Sequence, residues 1–77
     1  MNLLDVIVGK WVRITNIHGG AGLDSKLHSI GLMPGDMVRI IRQAPFSGPI
    51  LLEVNGREIA LGRGIAEKID VEETSIS

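Results

Sequence analysis

The residues able to do chemistry in this chain are few. His18 and His28 are its only imidazoles, and it has no cysteine. No thiolate nucleophile, disulfide framework or thiolate metal site can therefore be built. The sequence has no Gly-x-Ser-x-Gly elbow and no phosphate loop, so no catalytic set is expected and the chain reads as a non-enzyme. Asp24 and His28 stand four residues apart; on a helix they share a face and can reach one cation together. Two donors fall short of the four that structural metals take. The helix dipole explains the same pair without a metal, favouring Asp24 in the first turn and His28 near the end. Glu53 and Glu58 oppose each other across a predicted hairpin. They form an acidic spot for a partner's cation or, more simply, a solvated face, with Arg39, Arg57 or Arg63 offsetting the repulsion. Gly62-Arg63-Gly64 precedes a helical turn, where backbone N–H groups can hold an anion; a hairpin exit needs the same glycines.

Leu32, Met33 and Phe46 are read as a partner-binding patch. They flank the turns at Pro34 and Pro45, where a small barrel exposes its loops. Apolar side chains exposed there mark interaction sites, and methionine adapts to many surfaces. The competing reading makes Leu32 and Phe46 plugs for the open barrel ends.

The elements that must position these residues follow from periodicity. Asn55-Gly56 is the pair that a type I′ turn demands. With it at the tip, Val54 faces Arg57, Leu52 faces Ile59, and Ile50 faces Leu61. Ile50, Leu52, Val54, Ile59 and Leu61 then share one side, and Leu51, Glu53, Glu58 and Ala60 the other. Residues 3–8 form a short extended or single-turn lead-in. Alternation from Trp11 to Ile17 predicts a strand with Val12 and Ile14 inward, and Ile17 breaks the pattern at a bulge or strand end. A Gly19, Gly20, Gly22 loop leads to a helix over Leu23 to Ile30, with Leu23, Leu27 and Ile30 as its apolar stripe. Gly31 ends the helix and Pro34-Gly35 turns the chain. Asp36 to Gln43 forms a strand apolar on both faces, hence central. Residues 44–49 loop into the hairpin; a helical turn follows it, and a last strand spans Ile69 to Val71. Glu72 to Ser77 is expected to fray. The result is mainly β: a small, partly open barrel of five strands, with one short helix between the first two and a helical turn before the last.

Composition agrees with one small domain over residues 1–77, with 73–77 as its tail. Aromatic residues make up 3% of the chain, so Val, Ile and Leu must fill the core. The net charge of −1 and the scattered basic residues argue against a nucleic-acid partner. That alternative would rest on stacking by Trp11 and Phe46 alone. No apolar run is long enough to span a membrane, and Leu3 to Val8 lacks the features of a signal peptide. Self-association through an exposed strand, either that of Trp11 or the hairpin strand from Arg57, is a further reading.

Taken in order, the chain resembles the ferrous iron transport protein A (FeoA) family. The resemblance runs through Leu4, Asp5 and Gly9, Ile14 and Ile17, and Leu27, Gly31, Leu32, Pro34 and Gly35. It continues through Ala44, Pro45, Pro49 and Ile50 to Leu61, Ala66, Ile69 and Val71. The segment LHSIGLMPGD followed by a strand and Ala-Pro is its most specific part. The chain departs from the family pattern at Lys26, at Ser47-Gly48 and along Gly62 to Ile65. The resemblance implies an SH3-like barrel in the cytoplasm and contact with a membrane ferrous-iron transporter (FeoB); no cofactor is expected. It also implies kinship with a module of metal-dependent repressors.

Overall fold

A computed structural model describes residues 1–74. Five strands form one antiparallel open sheet in the order β4-β3-β2-β1-β5. The strands are β1 (Trp11–Ile17), β2 (Met37–Gln43), β3 (Ile50–Val54), β4 (Arg57–Leu61) and β5 (Ile69–Glu73). Helix α1 (Gly20–Ser29) joins β1 to β2, and the single turn α2 (Arg63–Ala66) joins β4 to β5. β2 is central, as its two apolar faces require. β1 lies between β2 and β5, so the strand of Trp11 is not a free edge. The outermost strands are β4 and β5, and Met1 and Asn2 lie along the β5 edge.

The hairpin has the register that Asn55-Gly56 dictates: Val54↔Arg57, Leu52↔Ile59 and Ile50↔Leu61. Both turn residues have positive φ, 51° and 78°, as a type I′ turn needs. Ile50, Leu52, Val54 and Leu61 are buried and Ile59 is half-buried. They meet Val12, Ile14, Leu27, Leu32, Val38, Ile40, Ile69 and Val71 in one aliphatic core. A bulge between Ile14 and Asn16 shifts the β1–β5 register, and Ile17 beyond it is half-buried.

The lead-in is a 3₁₀ turn, Leu3–Asp5. Asn2 caps it reciprocally: its Oδ1 accepts from the Leu4 N–H at 2.8 Å, and its own N–H donates to Asp5 at 2.9 Å. Leu3 and Val6 pack inward, whereas Ile7 and Val8 are exposed. β5 extends through Glu73, which pairs with Val12. The strand thus runs two residues past the expected end at Val71, because Glu72 and Glu73 continue the ladder against Arg13 and Val12; exposed ion pairs of Glu72 with Arg13 (3.4 Å) and Glu73 with Lys10 (3.2 Å) lie alongside. Of the rest of the expected tail, Thr74 is half-buried, and residues 75–77 lie outside the described residues. Among the described residues, no helix is long and apolar enough to cross a membrane.

Candidate functional site

The site begins with how α1 ends. Leu32 N–H donates to the Leu27 carbonyl at 2.9 Å, and Gly31 N–H to that of His28 at 3.0 Å. With Gly31 at φ 91°, this is a Schellman motif, and its hydrophobic contact joins buried Leu27 to Leu32. The chain then reverses at Met33–Asp36, where Asp36 N–H bonds the Met33 carbonyl at 3.2 Å and Asp36 Oδ2 accepts from Met33 N–H at 3.0 Å. Gly35 N–H donates to the Ile14 carbonyl at 2.7 Å, fastening this turn to β1.

The fastening opens a groove of about 330 Å³ between α1, the end of β1 and the turn. Asn16, Asp24, Ser25 and His28 supply its polar side; Ile17, Leu32, Met33 and Pro34 supply its apolar side. Asp24 and His28 do share one face and one groove, as their spacing requires. No group of three or more His, Cys, Asp or Glu side chains able to hold a metal occurs among the described residues. The helix starts three residues earlier than its apolar pattern suggests, at Gly20, with Gly19 as a cap that makes no side-chain hydrogen bond. Asp24 therefore sits beyond the first turn, and the dipole no longer accounts for it. His28 keeps its place in the last turn. Ile30 leaves the expected stripe: it is the residue that ends the helix and is 36% exposed.

The proposed trio does not form one exposed patch. Leu32 is core, 1% exposed, because it closes the Schellman motif. Met33 is 40% exposed on the groove rim. Phe46 is 99% exposed, so it plugs nothing. Met33 precedes β2 and Phe46 follows it, and a seven-residue strand spans about 20 Å. They are two separate points, one at each end of β2. At the second point, Gly48 N–H bonds the Pro45 carbonyl at 3.2 Å and Ala44 N–H that of Pro49 at 3.1 Å. Phe46 and Ser47 occupy the centre of this turn with φ of 56° and 65°, the left-handed values of a type I′ turn but without its usual residues.

On the outer sheet face a row crosses three strands. Arg39 lies 5.1 Å from the Trp11 ring centroid and holds Glu53 Oε1 through Nε at 2.8 Å and Nη2 at 2.7 Å. Arg39 is thus the cation that offsets the Glu53–Glu58 opposition. It also occupies the Trp11 ring that base stacking would need. Arg57 turns instead to the end of α1, and Gly62 to Gly64 serve as the exit from β4 into α2. Sequence periodicity missed Asn16, Ile17 and Ser25 as groove residues, since only the fold sets the end of β1 against α1. It also missed the 2.6 Å contact of His18 Nε2 with Asp70 Oδ2, a pair 52 residues apart that the bulged β1–β5 register creates.

An open five-stranded antiparallel sheet with a short helix between its first two strands and a grooved helix end is a small SH3-like module. The FeoA domain model matches residues 1–73, and the chain belongs to that family. A protein of Methanocaldococcus jannaschii named for Fe(2+) transport, as protein A, is 37% identical over 65 residues, covering 84% of this chain and 77% of the relative. The crystal structure of an iron uptake regulatory protein (FeoA) superposes with TM-score 0.84 at 33% identity, covering 94% of this chain and 95% of the other. The solution structure of iron(II) transport protein A from Clostridium thermocellum gives TM-score 0.89 at 31% identity. That match takes in 96% of this chain but 46% of the other, so this chain spans under half of that relative.

Proposed function

We propose that the chain is a small cytoplasmic accessory or regulatory protein of ferrous-iron uptake. It acts by contact with the membrane ferrous-iron transporter (FeoB) and without turnover. Membership of the FeoA family over residues 1–73 carries this reading. The surface supports it with two separate contact points, the Met33 rim of the α1 groove and the Phe46 turn. A partner segment with apolar side chains and a basic or amide group fits the groove, with Asp24 and Asn16 receiving the polar group. Aromatic and methionine side chains are the usual anchors of such contacts.

The deciding experiment is a pull-down of the purified protein against the transporter in detergent, with and without guanine nucleotide. Binding is expected, weakened by Met33→Ala and by Phe46→Ala while the melting temperature stays near that of the parent. Failure to bind in every nucleotide state would remove this mechanism. The shared groove position of Asp24 and His28 favours a second, weaker reading, a transition-metal contact at that pair. Titration with Co²⁺ should then perturb His28 resonances and leave those of His18 unmoved; equal effects on both would remove it.

A further inference from the structure

Among the described residues, four large apolar side chains are more than half exposed: Met1, Ile7, Val8 and Phe46. All four lie toward one end of the sheet. β1 starts beside the later half of β2, since Trp11 pairs with Arg39 and Gly9 N–H donates to the Ile40 carbonyl at 2.8 Å. Ile7 and Val8 form the tight turn just before β1, closed by Lys10 N–H on the Ile7 carbonyl at 3.1 Å. Phe46 heads the turn just after β2. Val71 N–H donates to the Met1 carbonyl at 2.9 Å, and Asn2 bridges Asp70 antiparallel. Met1 therefore lies toward Glu73, which pairs with Val12 at this same end. The less exposed Ile30 and Met33 stand at the other end, around the close of α1.

Charge is divided along the same axis. The carboxylates near the apolar end, Glu72 and Glu73, are engaged by Arg13 and Lys10. Arg42 stands one residue before the end of β2, and Arg63 two residues past β4. Neither makes an ion pair among the described residues. Asp24, Glu58 and Glu67 are the carboxylates with neither an ion pair nor a backbone hydrogen bond among the described residues. They sit on α1, beside the Asn55-Gly56 turn and just before β5, all away from the apolar end. Lys26, Arg57 and Lys68 lie there too and balance them. The apolar end is left with uncompensated cations only.

We propose that this end docks on an anionic lipid bilayer. Apolar tips backed by unpaired cations match a surface that is hydrocarbon beneath and negative above. The two turns meet the condition for entering it. Each is closed by its own backbone bond, Lys10 to Ile7 and Gly48 to Pro45, so the tips carry less unpaired backbone into the interface. Their heights fit as well. β2 continues three residues past the level of Gly9, which sets Phe46 roughly 10 Å farther out than the first turn. Interfacial segments sink about 5–10 Å. Phe46 therefore inserts, while Ile7 and Val8 rest at the headgroup level. Arg42 and Arg63, set back behind Phe46, reach the lipid phosphates with their stems along the apolar boundary. Charge rejects a second copy at this end, because it would bring the same cations. The docking goes beyond the transporter contact and needs no transporter, and it leaves the α1 groove at the end away from the lipid.

The test is flotation of the full chain with transporter-free vesicles of equal parts phosphatidylcholine and phosphatidylglycerol, against vesicles of phosphatidylcholine alone. Binding to the anionic vesicles is expected, weaker on the neutral ones and lowered by salt. Phe46→Ala should weaken it roughly tenfold, the loss of one inserted aromatic side chain. Phe46→Asn with Ser47→Gly, which suits the turn, should weaken it as much, so that a folding defect cannot explain the loss. Arg42→Glu with Arg63→Glu should abolish the preference for anionic lipid, whereas Asp24→Asn should change nothing. Brominated acyl chains should quench the tryptophan of Phe46→Trp, but not that of Met33→Trp, beyond the quenching of Trp11 in the parent. Failure to float with anionic vesicles, binding indifferent to both changes at Phe46, or equal quenching at the two positions would each overturn the proposal. Phe46-dependent binding to the transporter in detergent, without vesicle binding, would also overturn it and make Phe46 a protein contact alone.

Discussion

The guanidinium of Arg57 lies against Gly31, where any β-carbon would have to stand. A Cβ built on Gly31 falls onto Arg57 Nη2, and Arg57 Nη1 donates to the neighbouring Ile30 carbonyl at 3.2 Å. The first residue after the hairpin turn thus seals the C-terminus of α1, whose last carbonyls lack intrahelical partners. Gly31→Ala faces two penalties, a left-handed φ of 91° and the displacement of Arg57. It should cost about 1–3 kcal/mol in urea unfolding. In an Arg57→Ala background only the backbone penalty remains, so the cost should fall. Equal costs in the two backgrounds would show that the guanidinium does not seal the helix end.

The row Trp11–Arg39–Glu53 can be followed by the chain's single tryptophan. Arg39 covers the ring and is tied to Glu53, with side chains 40% and 26% exposed. Solvent screens a pair this open, so a double-mutant cycle on Arg39 and Glu53 should return a coupling of about 0.5–1 kcal/mol that shrinks with salt. Arg39→Ala should also shift Trp11 emission to the red as the ring face meets water. An unshifted spectrum would place Arg39 away from the indole in solution.

Where local chemistry decides a feature, the sequence revealed it. Asn55-Gly56 set the hairpin register, alternation set β1, and Gly31 marked the end of α1. The start of α1 was hidden because Gly20 and Gly22 are poor helix formers. Here tertiary packing of Leu23 and Leu27 outweighs propensity. The last two residues of β5 were hidden for a similar reason: Glu72 and Glu73 look like a solvated tail until Arg13 and Val12 are found opposite them in the ladder. At the candidate site the spacing placed Asp24 and His28 together. It could not show that Ile17 and Asn16 complete their groove, because the turn carrying Gly35 brings β1 there. Apolar character alone also made Leu32, Met33 and Phe46 look alike, though one is core and two are surface.

Those three side chains should therefore separate cleanly in stability measurements. Leu32→Ala removes a side chain that is 1% exposed and bonded through its backbone to Leu27. Deleting such a core leucine leaves a cavity and costs about 2–5 kcal/mol. In a chain of 77 residues that approaches the whole stability. Met33→Ala, on a half-open rim, should cost well under that. A Leu32→Ala protein that unfolds at the parental urea midpoint would contradict its burial.

Phe46 carries the sharpest expectation, because stability and function should move in opposite directions there. A bulky residue rarely takes positive φ, and here Phe46 and Ser47 do so in succession with the phenyl ring in water. The left-handed conformation costs roughly 1–2 kcal/mol per residue. The bonds closing the turn, Gly48 to Pro45 and Ala44 to Pro49, hold it nonetheless. The chain already uses the favourable pair once, at Asn55-Gly56. Replacing Phe46-Ser47 by Asn-Gly should raise the unfolding free energy by about 1 kcal/mol or more, read from the urea midpoint at constant m-value. If the strained phenylalanine is retained as an anchor, the same double variant should lose transporter binding in the pull-down. A variant both more stable and fully able to bind would show that this aromatic ring has no part in docking, and would leave the Met33 rim of the α1 groove as the contact surface.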